Sequence, residues 1–258
     1  MGSLERTPEE YATELLGYFE MPRVGDVNSF AQMIGLKVRE VPSQTFDGAL
    51  IRVPNKLKGV VAVRETIRES GKKAFTVAHE IGHFVLPGHG TADCSCTAKD
   101  INSWQAHVSR QKEVSANRFA SELLLPARRL YEIVNHRKAT LALAQEIANK
   151  YQTSLTATAI KCVDVTDEAC ALVWSTNNHI EWTHKNDSFW PFIPKTRLDQ
   201  NSCSGRLFLD HSHPAAEGEV EADVWLSLDN DSDKPTLWED SLFLPYYNAV
   251  LSILTIEF

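Results

Sequence analysis

The chain has 258 residues, 43% hydrophobic and 23% charged, with 26 basic and 34 acidic side chains for a net charge of -8. That is enough apolar material for a sizeable core divided between two compact units, and it excludes a largely disordered chain; no apolar run approaches the ~18 residues that mark a membrane span. A pI near 5.6 argues against a protein that lives on nucleic acid.

The opening segment, MGSLERTPEE, holds no apolar stretch ahead of a cleavage site, and the expected location is the cytoplasm. Thr7-Pro8-Glu9-Glu10 combines an N-cap, a first-turn proline and acids at the positive end of the dipole, so a helix is predicted to about Phe19. Asp26 caps a second helix over Ser29 to Ile34, closed by Gly35; LKVREV then reads as a strand. GALIRV and GVVAVRE, separated by the turn PNKLKG, suggest a small antiparallel sheet. From Lys72 to about Leu86 the apolar positions Ala74, Val77, Ile81, Phe84 and Val85 recur at helical spacing until Pro87-Gly88. A loop with Cys94 and Cys96 leads to a long helix, about Asp100 to Leu125, stopped by Pro126. The two thiols are too close for an ordinary bridge between elements, and the five cysteines read as reduced. ARRLYEIVNHR, LALAQEIANKY and LTATAIKCV follow with a helix-turn-helix cadence. Beyond Val163 the runs ACALVWS, HIEWTHK, GRLFLD and EADVWLSL look like strands, and DSLFLPYYNAVLSILTIEF reads as core.

Charge divides the chain in the same places. Residues 1–126 carry 15 bases and 15 acids, residues 127–162 carry 6 and 2, and residues 163–258 carry 5 and 17. The expected organisation is therefore α+β: a first domain over 1–126, a helical segment over 127–162 and an acidic, β-rich domain over 163–258.

The residues that carry chemistry lie on the helix before Pro87. His79-Glu80-Ile81-Gly82-His83 places two imidazoles four positions apart, about 40° around the axis and one turn along it, so both reach one metal ion. The stripe of Val77 and Ile81 points the other way, into a core. Glu80 lies about 100° from His79, which suits a general base and not a ligand. Chance would give about 0.02 such patterns in a chain with this many His and Glu. Gly82, costly in mid-helix, implies a close neighbour there.

Catalytic zinc takes a third protein ligand and leaves one position open. His89 has the metzincin spacing from His83, but Leu86 stands where that pattern needs glycine, and Met1, Met21 and Met33 all precede the motif. Cys94 and Cys96 favour closed structural sites. The residues favour Glu113, on the helix reading EVSANRFASELLLP, where Ala116 and Ala120 are small enough to admit the first helix. Asn117, one turn on, is placed to orient a ligand. Glu122 falls about 180° from Glu113 and is expected to point away.

Together, KKAFTVAHEIGHFVL and EVSANRFASELLLP resemble the paired motif of the ImmA/IrrE family of bacterial metallopeptidases. The resemblance implies a mainly helical, zincin-like peptidase domain with a small sheet, zinc on His79, His83 and Glu113, and Glu80 as base. It implies a cytoplasmic protease that cuts a helix-turn-helix repressor and relieves repression under stress. Some relatives carry a GAF-like domain after the helical cluster, so a sensory unit over 163–258 fits the family.

The helical cluster carries basic charge, yet LTATAIKCV holds no Arg, Asn or Gln to read a base edge, and DNA is not expected as partner. Trp174, Trp182, Trp190, Trp225 and Trp238 are read mainly as core, and His211-Ser212-His213 as a surface loop. His107, Arg110 and Tyr131 are candidates for stabilising an oxyanion. The alternative function is a metal-binding regulator that acts by protein or DNA contact without cleavage.

Overall fold

A computed structural model describes residues 6–21, 26–53, 56–89, 103–210, 212–227 and 235–257, with the helix backbone alone given for 103–109. The architecture is α+β, with eight α-helices and two sheets among the described residues. Two compact units are formed, Met1–Pro126 with Tyr151–Ser154, and Ala127–Lys150 with Leu155–Phe258.

In the first unit, helix α1 (Pro8–Tyr18) starts at a capping box: Thr7 Oγ1 accepts from the Glu10 amide, and the Glu10 carboxylate accepts from the Thr7 amide. Helix α2 (Val27–Met33) is capped by Asp26, which accepts from the amides of Asn28 and Ser29. Gly35 follows at φ +90°, with its Cβ position 2.5 Å from the Leu57 carbonyl oxygen, so only glycine fits. Strands β1 (Leu36–Val41), β2 (Gly48–Arg52) and β3 (Gly59–Arg64) are ordered β1-β3-β2. The expected antiparallel pair β2/β3 forms, but β1 adds in parallel to β3, so the sheet is mixed and β2 is its edge.

Helix α3 (Ser70–Val85) buries Val77, Ala78 and Ile81 completely and packs on β2 and on helix α4 (Ser103–Leu124). Bidentate pairing of the Arg118 guanidinium with Glu9, at 2.6 and 2.9 Å, fixes α4 against α1. At the start of α3, Gly71 lies under the returning segment 151–154: a Cβ there would be 2.7 Å from the Ser154 nitrogen.

The second unit contains helices α5 (Ala127–Val134), α6 (Leu141–Tyr151) and α7 (Leu155–Val165), strands β4 (Cys170–Thr176) and β5 (His179–Lys185), helix α8 (Cys203–Leu209), and strands β6 (Ala215–Glu221), β7 (Thr236–Leu244) and β8 (Ala249–Glu257). The antiparallel sheet runs β5-β4-β8-β7-β6. Ala171, Val173, Leu237, Leu254 and Ile256 point to one face, where they pack with Cys203 at the start of α8, Phe189 and Trp225. Helix α7 packs on β4 and β5. Thr158, Ala159, Cys162 and Val163 form its buried face.

Three expectations need correction here. GRLFLD forms most of α8 instead of a strand, because Ser202 Oγ accepts from the Gly205 amide and the Glu239 carboxylate accepts from the amides of Cys203 and Ser204. Within EADVWLSL, Ala222–Val224 form a short 3-10 turn, and Glu221 ends the edge strand, AAEGEVE. Of the five tryptophans in this unit, Trp225 is fully in the core, and Trp190 is 58% exposed. Ser212 and His213 are exposed as expected, while His211, Cys94 and Cys96 lie outside the described residues. Cys162, Cys170 and Cys203 are free and buried, with burial pushing their thiols up to about 12, 12 and 11, so none of the three is a nucleophile at neutral pH. Among the described residues no helix is long and apolar enough to cross a membrane.

Candidate metal centre

One turn of α3 separates His79 from His83, and both rings leave the helix on the side facing α4. Two contacts bring α4 close enough to meet them. Gly82 abuts Ala116, with its Cβ position 3.2 Å from Ala116 Cα and 3.1 Å from the Phe119 ring, and Ala116 and Ala120 are fully buried. The neighbour implied by Gly82 is therefore α4 itself. Glu113 then reaches across: its Oε2 is 3.2 Å from His79 Nε2 and its Oε1 is 3.3 Å from His83 Nε2, while the two Nε2 atoms are 3.0 Å apart.

That triangle matches what an ion would require. Ligand atoms arranged tetrahedrally about zinc at about 2.0–2.1 Å stand roughly 3.3 Å from one another. The three groups form the one set of His, Cys, Asp and Glu side chains among the described residues whose ligand atoms converge in this way. Their chemistry suits a borderline cation, two imidazoles and one carboxylate, with Glu113 exposed on the outer side.

Neighbouring groups orient the His79 ring and hold the backbone that carries His83. Asn117 Oδ1 sits 2.9 Å from His79 Nδ1, and an amide oxygen can only accept, so Nδ1 keeps the proton and Nε2 offers its lone pair inward. Arg52 donates to the carbonyls of His83 and Phe84, at 3.0 Å for the latter, and its guanidinium lies 5.0 Å over the Phe84 ring. These bonds satisfy two carbonyls at the C-terminal end of α3 and hold the turn that carries His83.

Glu80 is buried beside the triangle, under β2. Gly48 makes this possible: a Cβ there would fall 2.5 Å from Thr76 Cγ2 and 2.8 Å from Glu80 Oε1. Burial raises the Glu80 carboxyl above its ordinary value, the positive charge of His79 and His83 works against that, and Glu113 adds to it. Glu113 itself is held far below the usual carboxylate range by its hydrogen bonds to His79 and His83. His79 is partly desolvated, which lowers it, but the bond to Glu113, the charges of Glu80 and Glu113, and Asn117 together raise it. Glu113 is thus held as a carboxylate against the two imidazoles. A cation between them would reverse the pull on the imidazoles.

The other candidates fall elsewhere. His89 does not join the triangle; its Nδ1 meets His83 Nδ1, on the opposite side of that ring, at 3.0 Å. Glu122 is buried and takes no part in the group. Tyr131 donates to Asp167 at 3.1 Å within the second unit. Arg110 is exposed, and the side chain of His107 lies outside the described residues. Sequence reasoning missed Gly48 and Arg52, whose contacts with α3 span 28 and more positions. The one local signal was the placement of a glycine at the head of a β-branched strand.

No curated protein matches the chain. A Mycobacterium tuberculosis transcriptional regulator of known structure shares the fold, with a TM-score of 0.59 and 13% identity over 96% of this chain and 76% of its own. Residues 31–162, which contain His79, Glu80, His83 and Glu113, match the sequence profile of Peptidase_M78, the IrrE N-terminal-like domain. With more than half of its length in that match, the chain belongs to this IrrE-like family of peptidases.

Proposed function

We propose that the protein is a zinc endopeptidase in which His79, His83 and Glu113 hold the ion and Glu80 is the general base. The observation that supports this reading most strongly is the convergence of the three ligand atoms within 4.8 Å of one another, with a buried carboxylate next to them. When bound, the ion supplies Lewis acidity to the scissile carbonyl. Glu80 takes a proton from the attacking water on its carboxylate and passes it to the departing amide nitrogen. His79, oriented by Asn117, and His83, on the turn held by Arg52, keep the cradle in shape.

The edge of β2 suits an extended substrate. The bonds from Val53 N to Lys58 O and from Arg64 N to Asp47 O set the ladder phase, so Ala49 and Ile51 pair with β3 while Gly48 and Leu50 turn their amides and carbonyls outward. A polypeptide lying along that edge passes Glu80. The substrate we infer is a helix-turn-helix repressor, cut in the cytoplasm under stress. A regulatory role for family members and the description of one protein of this fold as a transcriptional regulator support that choice. The acidic domain over 163–258 would be the sensory part, and its cleft of about 510 Å³ beside Arg197, Asp199 and Trp225 is the place for a ligand.

The test is incubation of the zinc-loaded chain with a repressor encoded beside it. Glu80→Gln is expected to keep one zinc per chain and to produce no fragments, while His79→Ala loses the metal. Fragments formed at the wild-type rate by Glu80→Gln would reject the mechanism. Release of the repressor from its operator by Glu80→Gln, without fragments, would favour the regulator that acts by contact alone.

A further inference from the structure

An imidazole that gives one nitrogen to a metal keeps a proton on the other, and that proton needs an acceptor. For His79 the acceptor is the Asn117 carboxamide. For His83 it is an unexpected group, the imidazole of His89: the two Nδ1 atoms are 3.0 Å apart, with ring centroids 5.0 Å apart and the planes inclined by 48°. Two Nδ1 atoms at that distance share one proton, so one donates and the other presents a bare lone pair. His83 Nε2 faces Glu113 and His79, and its free lone pair is needed there. The proton therefore belongs on His83 Nδ1, and His89 is the acceptor.

The chain holds His89 in this place by a turn. Helix α3 ends at Val85 ahead of Pro87, Gly88 adopts φ +75°, and the His89 amide bonds back to the Leu86 carbonyl at 3.4 Å. The ring is thereby returned to the outer side of His83, half-buried. Arg52 grips the carbonyl of the same residue from the strand side. His83 is thus fixed from two directions, through its backbone and through its outer nitrogen.

We propose that His89 is a positioning residue of the metal centre, not a ligand: its Nδ1 accepts the Nδ1 proton of His83 and locks the tautomer whose Nε2 lone pair points into the cradle. This rests on the reading of His79, His83 and Glu113 as the ligand set. Outer partners of metal-bound histidines are typically worth about 10- to 100-fold in metal affinity. An acceptor must be present at position 89, and bulk alone will not serve.

The experiment measures zinc dissociation by competition with a chromophoric chelator on the full chain, together with the visible spectrum of the cobalt-substituted protein. His89→Phe keeps a ring without an acceptor, and His89→Gln keeps an acceptor without a ring. We expect His89→Phe to weaken zinc about 10- to 100-fold and to shift the cobalt bands, with stoichiometry still one per chain and the metal-free melting temperature unchanged. His89→Gln should recover most of the affinity. Equal affinity in wild type and His89→Phe, or a Gln variant as weak as the Phe variant, overturns the proposal. If the Phe variant does not fold, His89→Ala against His89→Gln makes the same comparison. His79→Ala separates the two layers: if it still binds zinc, the ligand set itself is wrong; if it loses zinc while His89→Phe is normal, only the role of His89 falls.

Discussion

A methyl group at position 48 would have nowhere to go. Its carbon would overlap Thr76 Cγ2 and press on Glu80 Oε1, the oxygen proposed to take the proton. Gly48→Ala is therefore expected to move the carboxylate by a fraction of an ångström while leaving the ligand triangle alone. Displacements of about 1 Å near a reacting group cost up to about 100-fold in rate, so we expect kcat to fall about 10- to 100-fold with zinc content unchanged. Cleavage rate and metal analysis on the same preparation check this, and a variant that loses zinc in proportion to activity would contradict it. The proposed base and ligands were legible in the sequence because the pattern around His79 is local and its spacing matches one helical turn. Asn117 could be read as well, one turn beyond Glu113 on the same helix, and it meets His79. Gly48 and Arg52 could not: both reach α3 from β2, and nothing in a linear pattern says which glycine will face which carboxylate.

At the scale of elements, β7 shows how much of the second unit depends on distant pairing. Glu239 and Asp240 are adjacent, and alternation sends them to opposite faces of the sheet. Glu239 accepts from the Cys203 and Ser204 amides, Trp225 Nε1 and Ser241 Oγ, at 2.7–2.9 Å, and Asp240 accepts from the Leu141 amide at 2.7 Å. One strand therefore caps a helix on each side. Replacing Glu239 by Ala would strand several buried donors, each worth about 1–3 kcal/mol when left unpaired. Glu239→Ala is expected to destabilise the chain by about 3–5 kcal/mol, as for other broken buried charge networks. Urea denaturation measures it, and a loss under 1 kcal/mol would refute the account.

The same wiring explains which elements could be read. Helices α1 to α4 announce themselves through caps, prolines and apolar periodicity. Helix α8 is short, and its N-terminal amides are satisfied by a carboxylate 35 and 36 positions away, so GRLFLD was indistinguishable from a strand. Strand β6 escaped for the opposite reason. Its Ala, Gly and Glu composition is poor for a strand, but Glu217, Glu219 and Glu221 alternate outward along an edge, where charge discourages pairing with another chain.

Over the whole sequence, acidity gathers in the last 96 residues and the proposed metal-binding side chains in the first 126, so composition alone separates two segments. Chain order and packing do not divide so simply. The four residues Tyr151–Ser154 belong with the first unit, although the chain on either side of them belongs with the second. A fragment ending at Pro126 is therefore expected to melt without cooperativity, whereas the full chain nicked at the exposed Arg137–Lys138 bond should keep its transition. Calorimetry distinguishes the two, and a sharp transition in the short fragment would argue against the dependence.

The Gly71 contact turns this into a constraint on inheritance. The backbone of α3 touches residues encoded well downstream of the last proposed ligand, so a gene joined to a foreign partner at codon 126 would deliver every proposed metal-binding side chain and still omit part of the wall behind them. Any exchange of the second unit must carry that four-residue patch across with the first, or supply an equivalent from the incoming piece.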